Sequence, residues 1–262
     1  SILSQKILNI LKSKKIYYDC MDDMLEFGHM EKETLIEIEY KLYQAAAVVF
    51  CSSEYLAETL KVRYGMRDNM FVINNAAILP DTNDISRKAT QHLCKNGGIK
   101  MVYIGTISKW FDFNLIQYLQ DKIPTLELYL FGPRDVAIPK NSQIHYCGIV
   151  EHNAIFQIMS ESDILIMPFV VTKLILSVNP VKLYEYIYSG RPCIAPKYPE
   201  SLKFVEYVYL YENKENCLAI VKNIIANNFI SKKTREDALK FVRNNTWQNR
   251  LLQITDILDG EN

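Results

Sequence analysis

Long hydrophobic runs are missing from this chain. Its most apolar stretches, around Ala45–Cys51 and Ile164–Val171, fall well short of the ~20 residues that a membrane-spanning helix requires, and no signal-peptide pattern opens the sequence. A membrane-crossing protein is therefore not expected, while peripheral attachment stays open. Net charge is also missing. Thirty basic residues cancel thirty acidic ones and no long run carries a single sign, which speaks against a broad electrostatic grip on nucleic acid. A charged substrate has to be held locally. The six cysteines, Cys20, Cys51, Cys94, Cys147, Cys193 and Cys217, show neither CxxC nor Cys/His spacing, against both a zinc site and a disulfide framework. They read as reduced, mostly buried thiols of a cytoplasmic protein. His29, His92, His145 and His152 form no metal-ligand spacing, and each reads as a lone histidine. GxGxxG and Walker patterns are absent, so dinucleotide and P-loop readings fail. There is no internal repeat and no low-complexity segment.

What is present is ordinary globular composition, 49% hydrophobic and 23% charged, arranged as alternating strand and helix patterns. From Gly98 onward six short β-branched or apolar runs predict strands at Ile99–Ile104, Leu126–Phe131, Gln143–Cys147, Asp163–Met167, Arg191–Ala195 and Val205–Leu210. Helical spacing between them follows Asp112 and Glu151, and further helices follow caps at Asn213, Ser231 and Thr246. This is the rhythm of a doubly wound α/β domain with a parallel sheet. Before it, strands at Lys15–Asp19, Ala47–Cys51 and Met70–Asn74 alternate with a helix over Glu31–Gln44 and another after Ser53. That reads as part of a second α/β domain. The expected organisation is a partial N-terminal domain over 1–79, a polar linker over 80–98, and a complete domain with C-terminal helices over 99–262.

The most informative stretch is VNPVKLYEYIYSGRPCIAP, Val178–Pro196. Asn179 suits a helix N-cap, Pro180 the first helical position, and Gly190 the position just past the end. A short helix from Pro180 to Ser189 is thus bracketed, with its N-terminus expected at the carboxyl edge of the sheet, where open α/β sheets bind ligands. Free amides there make an anion site. Lys182 in the first turn opposes the helix dipole by roughly 0.3–1 kcal/mol, a placement that makes sense beside a bound anion. Glu185 shares its face. Together they would offer amides and an ammonium to phosphates and a carboxylate to hydroxyls, matching a diphosphate plus a ribose. The same two residues also read as a plain Lys/Glu pair worth ~0.2–0.5 kcal/mol, although Lys before Glu is the poorer order.

Other candidates are weaker. The loop GTISKWFD, Gly105–Asp112, lets a ligand approach the backbone at Gly105 and Thr106, and Lys109 is positioned to neutralise a phosphate or to be a surface lysine. The turn Phe131–Arg134 offers Arg134. In YYDCMDD, Asp19, Asp22 and Asp23 follow a strand end, where carboxylates serve chemistry or simply solvate a turn. The tyrosines read as packing.

Taken in order, YDCMDD, GTISKWFD, FGP, DILIMPF, NPVKLYEY and SGRPCIA resemble the group-one, family-four-like GT-B glycosyltransferases of bacterial polysaccharide biosynthesis. The resemblance implies a C-terminal Rossmann-like domain that holds a nucleotide-sugar donor, an N-terminal one that holds the acceptor, and reaction in the cleft between them. It implies that Glu185 binds ribose hydroxyls, that Lys182 and Lys109 meet the diphosphate, and that Gly148 to Val150 border the base. With the local readings above, the candidate catalytic set is Lys109, Lys182 and Asp22, and Gly105, Thr106, Arg134, Asn179, Pro180 and Val181 complete the candidate donor surface. No metal or cofactor is implied; UDP and GDP sugars are among the donors the resemblance allows, and the base is left open. Two departures stand out. Ser177 occupies the position where many such enzymes carry a second Glu, eight before Glu185, and the N-terminal acceptor domain is much shorter than a full one.

The expected function is retaining transfer of a sugar from a nucleoside diphosphate to a saccharide or lipid-linked hydroxyl, in the cytoplasm or peripherally at the inner face of the membrane. Two alternatives stay open. One is a nucleotide-sugar-binding module or half-enzyme, completed by a partner chain or in a homodimer; the other is a sugar-nucleotide epimerase.

Overall fold

A computed structural model describes residues 15–28, 31–80, 93 and 97–260. His29, His92, Cys94 and most of the expected 80–98 linker lie outside the described residues. The chain divides into two compact units, and the division is not a single cut. The first unit combines residues 1–75 with Thr172–Asn179 and Arg250–Asn262, and the second holds Ala76–Val171 and Pro180–Asn249.

The first unit carries a three-stranded parallel sheet in the order β1 (Tyr17–Cys20), β2 (Val48–Cys51), β3 (Met70–Val72). Helix α1 (Lys32–Ala45) connects β1 to β2, and α2 (Glu54–Tyr64) connects β2 to β3. Strand β2 is buried on both faces, which is why VVFC is continuously apolar instead of alternating. Ser53 starts α2 by accepting the Leu56 N–H at 3.2 Å, the N-cap its position suggests. Leu42, Tyr43, Leu56 and Leu60 pack on Tyr18 and Val49 to form the core. A buried charge network holds the turn after β1. Arg63 reaches both Asp23 (2.9 Å) and Glu39 (3.0 Å), and Tyr18 and Tyr64 donate to Glu39 at 2.8 and 2.6 Å.

The second unit is the larger. Its strands are β4 (Ile99–Ile104), β5 (Leu126–Phe131), β6 (Ile144–Gly148), β7 (Ile164–Ile166), β8 (Cys193–Pro196) and β9 (Tyr209–Tyr211). They form one sheet in the order β6-β5-β4-β7-β8-β9, and every neighbouring pair is parallel. Counted within the unit this is the 3-2-1-4-5-6 order of a dinucleotide-type doubly wound fold. Helices α3 (Phe113–Lys122) and α8 (Lys214–Ala226) share one core cluster. There Ile116, Leu119 and Val221 meet Met101, Leu128, Leu130 and Ile166. Full burial of one such side chain contributes roughly 1.5–3 kcal/mol. Helices α4 (His152–Glu161), α6 (Val181–Ser189) and α9 (Arg235–Asn244) pack together, α6 against each of the other two.

Local chemistry sets the helix starts. Asp112 accepts the Leu115 N–H at 2.9 Å to open α3, and Asn213 accepts the Asn216 N–H at 2.8 Å to open α8. At α9 the expected cap is wrong. Thr234 caps it through the Asp237 N–H at 3.1 Å, whereas Ser231 donates to the Gly190 carbonyl. The strand expected over Val205–Leu210 is also shorter, because a short helix α7 (Pro199–Leu202) and turns occupy the chain until β9 at Tyr209. A last helix, α10 (Trp247–Gly260), follows Thr246 as expected. The short helix α5 (Lys173–Ser177) had no sequence expectation.

Candidate functional site

The sheet order puts the topological switch point between β4 and β7, whose outgoing connections leave toward opposite edges. Ligands bind at the carboxyl edge beside such a point because the two connections diverge there and leave a crevice. In this chain the divergence is held open by a side chain. Pairing of β4 with β7 runs from Met101–Ile164 to Val102–Leu165 and then stops. The next ladder bond would join the Ile104 N–H to the Ile166 carbonyl. Instead the Tyr186 hydroxyl stands between them, accepting from Ile104 N at 3.0 Å and directed at Ile166 O at 3.5 Å. Tyr186 is fully buried, and burial pushes its hydroxyl well above the usual phenol range, so it remains a neutral donor and acceptor. One α6 side chain therefore both satisfies the strand ends and anchors α6 at the switch point.

Glycines shape the edge beside it. Gly132, just after β5, has φ +132°, and a Cβ there would lie 2.2 Å from the Gly105 carbonyl oxygen. Only glycine lets the two strand ends come this close. Beyond them the loop after β4 is stitched on both sides. Ile107 N–H donates to Pro133 O (2.9 Å) and Asp135 N–H to Ile107 O (3.2 Å); Val170 N–H donates to Trp110 O (2.8 Å) and Asp112 N–H to Pro168 O (2.7 Å). Ser108 adds a 2.8 Å bond to Asp135. Gly105, Thr106 and Lys109 thus sit on a braced loop, with Thr106 and Lys109 exposed. Arg134 is exposed and lies over the Tyr146 ring at 5.2 Å. Gly148 ends β6 at φ +80° with open space where a Cβ would point, and Val150 follows just before α4.

Helix α6 begins one residue later than its caps suggest. Pro180 occupies the N-cap, without a side-chain acceptor, and Val181 and Lys182 open the helix. Asn179, expected at the cap, is buried in the first unit, where its carbonyl accepts from Asn75 at 2.8 Å. Leu183 N–H is taken by Pro180 O at 3.1 Å, and no cap side chain competes for the first-turn amides. At the other end Gly190 is left-handed, φ +74° and ψ 9°, closing the helix as expected.

The Lys182–Glu185 pair is formed, at 2.8 Å, but it is not an ordinary surface pair. The Glu185 side chain is 6% exposed and that of Lys182 31%. A carboxylate so buried loses hydration, and the ammonium beside it offsets part of that loss. His152, the first residue of α4, approaches from the other side, with Nε2 3.8 Å from Glu185 Oε1. No sequence signal pointed to His152, since its neighbourhood depends on α4 packing against α6. Ser177, at the position of the second Glu in many resembling enzymes, is buried in the first unit. Its hydroxyl donates to Leu174 O and its carbonyl accepts from Ser53, both at 2.7 Å.

Asp22 lies in the first unit, on the turn that the Asp23–Arg63–Glu39 network holds. Burial pushes its carboxyl up to about 6. Among the described residues no three of His, Cys, Asp or Glu are grouped closely enough to hold a metal ion, and no helix is long and apolar enough to cross a membrane.

No family model matches the chain. Over 216 residues it is 24% identical to the Bacillus subtilis (strain 168) glycosyltransferase TuaH, named for teichuronic acid biosynthesis, a match covering 75% of this chain and 54% of the relative. The chain thus spans about half the length of that relative. Among solved structures, Anabaena HepE in complex with UDP-glucose is similar with a TM-score of 0.74 at 17% identity, over 98% of this chain and 77% of HepE. Sucrose-phosphate synthase from Thermosynechococcus elongatus is similar with a TM-score of 0.69 at 14% identity, over 93% of this chain and 67% of that enzyme.

Proposed function

We propose, on the premise that this chain has the GT-B glycosyltransferase fold, that its larger unit binds a nucleoside-diphosphate sugar and that the protein transfers the sugar, with retention, to a saccharide or lipid-linked hydroxyl. The observation that carries this reading is the Lys182–Glu185 pair on the first turns of α6, its carboxylate buried and its ammonium partly exposed, at the switch point of a Rossmann-ordered sheet. An ammonium and first-turn amides attract a diphosphate. A desolvated carboxylate three residues on accepts hydroxyl hydrogen bonds from the ribose. TuaH, HepE and sucrose-phosphate synthase support the same class of chemistry, and HepE binds UDP and UDP-glucose.

In the reaction the bond from the anomeric carbon to the diphosphate oxygen breaks, a bond to the acceptor oxygen forms, and the acceptor hydroxyl gives up its proton. Negative charge grows on the leaving diphosphate. Lys182, the α6 amides and Lys109 on the braced loop are the groups assigned to stabilise it, a fixed electrostatic device whose dipoles need no reorganisation. Gly105, Thr106, Arg134, Gly148, Val150, Pro180 and Val181 complete the proposed donor surface. Asp22, in the first unit, has the raised carboxyl of a candidate general base.

Calorimetric titration with UDP, GDP and CDP tests the site. One of them is expected to bind, and Lys182→Ala and Glu185→Ala each weaken it at least about tenfold, since charged hydrogen bonds contribute ~1.5–3 kcal/mol. Unchanged affinity in both variants would overturn the assignment. Transfer is tested separately with labelled UDP-glucose and lipid-linked saccharide acceptors, whose product anomer reads retention directly.

A further inference from the structure

The nucleotide site as assigned leaves one polar atom of Glu185 unused. Oε2 is taken by Lys182 at 2.8 Å, whereas Oε1 faces His152 Nε2 at 3.8 Å. That separation is too long for a hydrogen bond. Both groups are nevertheless held. Glu185 is buried on α6, and the imidazole stands edge-on to Phe156 (5.7 Å between centroids, 75°), which in turn stands edge-on to Tyr188 (5.3 Å, 80°). The imidazole itself is 45% exposed while the carboxylate below it is 6% exposed. A solvent-facing donor thus overlooks a buried acceptor, with a gap that neither closes.

A hydroxyl oxygen bridging the two, about 2.8 Å from each, would sit to one side of the 3.8 Å line that joins them. It is also the neutral group that can give a proton to the carboxylate and take one from a ring N–H at the same point. A phosphate oxygen would be repelled by the carboxylate, and with the ring proton on Nε2 an ammonium would find no acceptor on the imidazole. We propose that His152 is a specificity residue of the nucleotide site, gripping a ribose hydroxyl jointly with Glu185 Oε1. The inference rests on the nucleotide-sugar reading of α6 and extends it to a second element, α4. The Gly148–Val150 segment leads directly into α4, so the same helix start would present the hydroxyl contact and follow the stretch assigned to the base. Sugar recognition would then depend on how α4 packs on α6.

The test uses the whole chain and whichever of UDP, GDP and CDP binds tightest, compared with its 2′-deoxy and 3′-deoxy forms by calorimetry. Wild type is expected to bind one deoxy form at least about tenfold more weakly, the size of a charged hydrogen bond. His152→Ala is expected to weaken the ribo form by roughly fivefold or more, leave that deoxy form little changed and so collapse the preference. His152→Gln, which keeps an N–H donor, restores most of it. A His152→Ala protein that melts like wild type and keeps the full ribo preference overturns the proposal, as does one that weakens ribo and deoxy forms equally. If wild type binds none of the three diphosphates, the nucleotide reading itself fails and takes this one with it.

Discussion

The Tyr186 hydroxyl is the feature whose removal is most sharply predicted. In Tyr186→Phe the ring and its packing stay, and only the atom between β4 and β7 goes. The Ile104 N–H then loses its acceptor 3.0 Å away in a region where Ile104 and Tyr186 are 3% and 0% exposed, with no water to replace it. A buried donor left unsatisfied costs ~1–3 kcal/mol. For a chain of this size each kcal/mol moves Tm by ~2–4 °C, so a loss near ~2 kcal/mol lowers it by ~4–8 °C. Thermal unfolding by circular dichroism measures the shift, and amide exchange at Ile104, read by NMR or mass spectrometry, is expected to speed up. Nucleotide affinity falls too, because the hydroxyl also holds α6 at the strand ends. A variant with wild-type Tm, unchanged Ile104 exchange and unchanged nucleotide binding would refute the reasoning. Wild-type stability with weaker binding would mean that β4 and β7 have zipped together, Ile104 N–H reaching Ile166 O directly, and the hydroxyl would then be a wedge and not a stabilising bond.

Other outcomes follow from the same geometry. Lys182→Met leaves the buried Glu185 carboxylate without its closest cation, and is expected to cost ~1–2 kcal/mol in denaturant unfolding, the low side for a pair whose lysine is partly exposed. Asp22→Asn is expected to raise stability near neutral pH. Folding holds the Asp22 carboxyl at about 6 against 3.8 for a free aspartate, so its contribution is fully present below pH ~4 and is lost as pH rises through ~6. The shift sets an upper bound of ~3 kcal/mol, reduced to ~1–2 kcal/mol because the group keeps some solvent, and wild type and variant should converge in Tm below pH ~4. Gly132→Ala drives a Cβ against the Gly105 backbone at 2.2 Å and is expected to destabilise by at least ~2 kcal/mol and to disturb the loop that carries Lys109; equal melting curves would contradict the close approach. Leu119→Ala, in the core under α3, is expected to cost ~2–5 kcal/mol without altering nucleotide specificity.

Much of the architecture was legible because it is written locally. Ser53, Asp112 and Asn213 are side chains whose oxygen reaches an amide three residues on, and the helices begin where they stand. Strands β2, β7 and β8 read as short apolar runs because they are buried on both faces. Errors fell where local rules had competitors. Ser231 and Thr234 are both plausible caps three residues apart, and the choice went to Thr234 while Ser231 was drawn to the Gly190 carbonyl. Asn179 had cap chemistry, yet its backbone belongs to the first unit's network with Asn75, and Pro180 took the cap position. VEYVYL has strand propensity throughout, but only its last two residues, Tyr209 and Leu210, reach the β8 ladder, where Tyr211 joins them.

The sequence by itself determined that a helix would start near Pro180 and end at Gly190, and that Lys182 and Glu185 would share a face, because both follow from caps and helical pitch. It could not determine what that face meets. Burial of Glu185, the approach of His152 from α4 and the insertion of the Tyr186 hydroxyl between β4 and β7 are contacts between segments far apart in the chain. They depend on strand order and helix packing, which no local periodicity encodes.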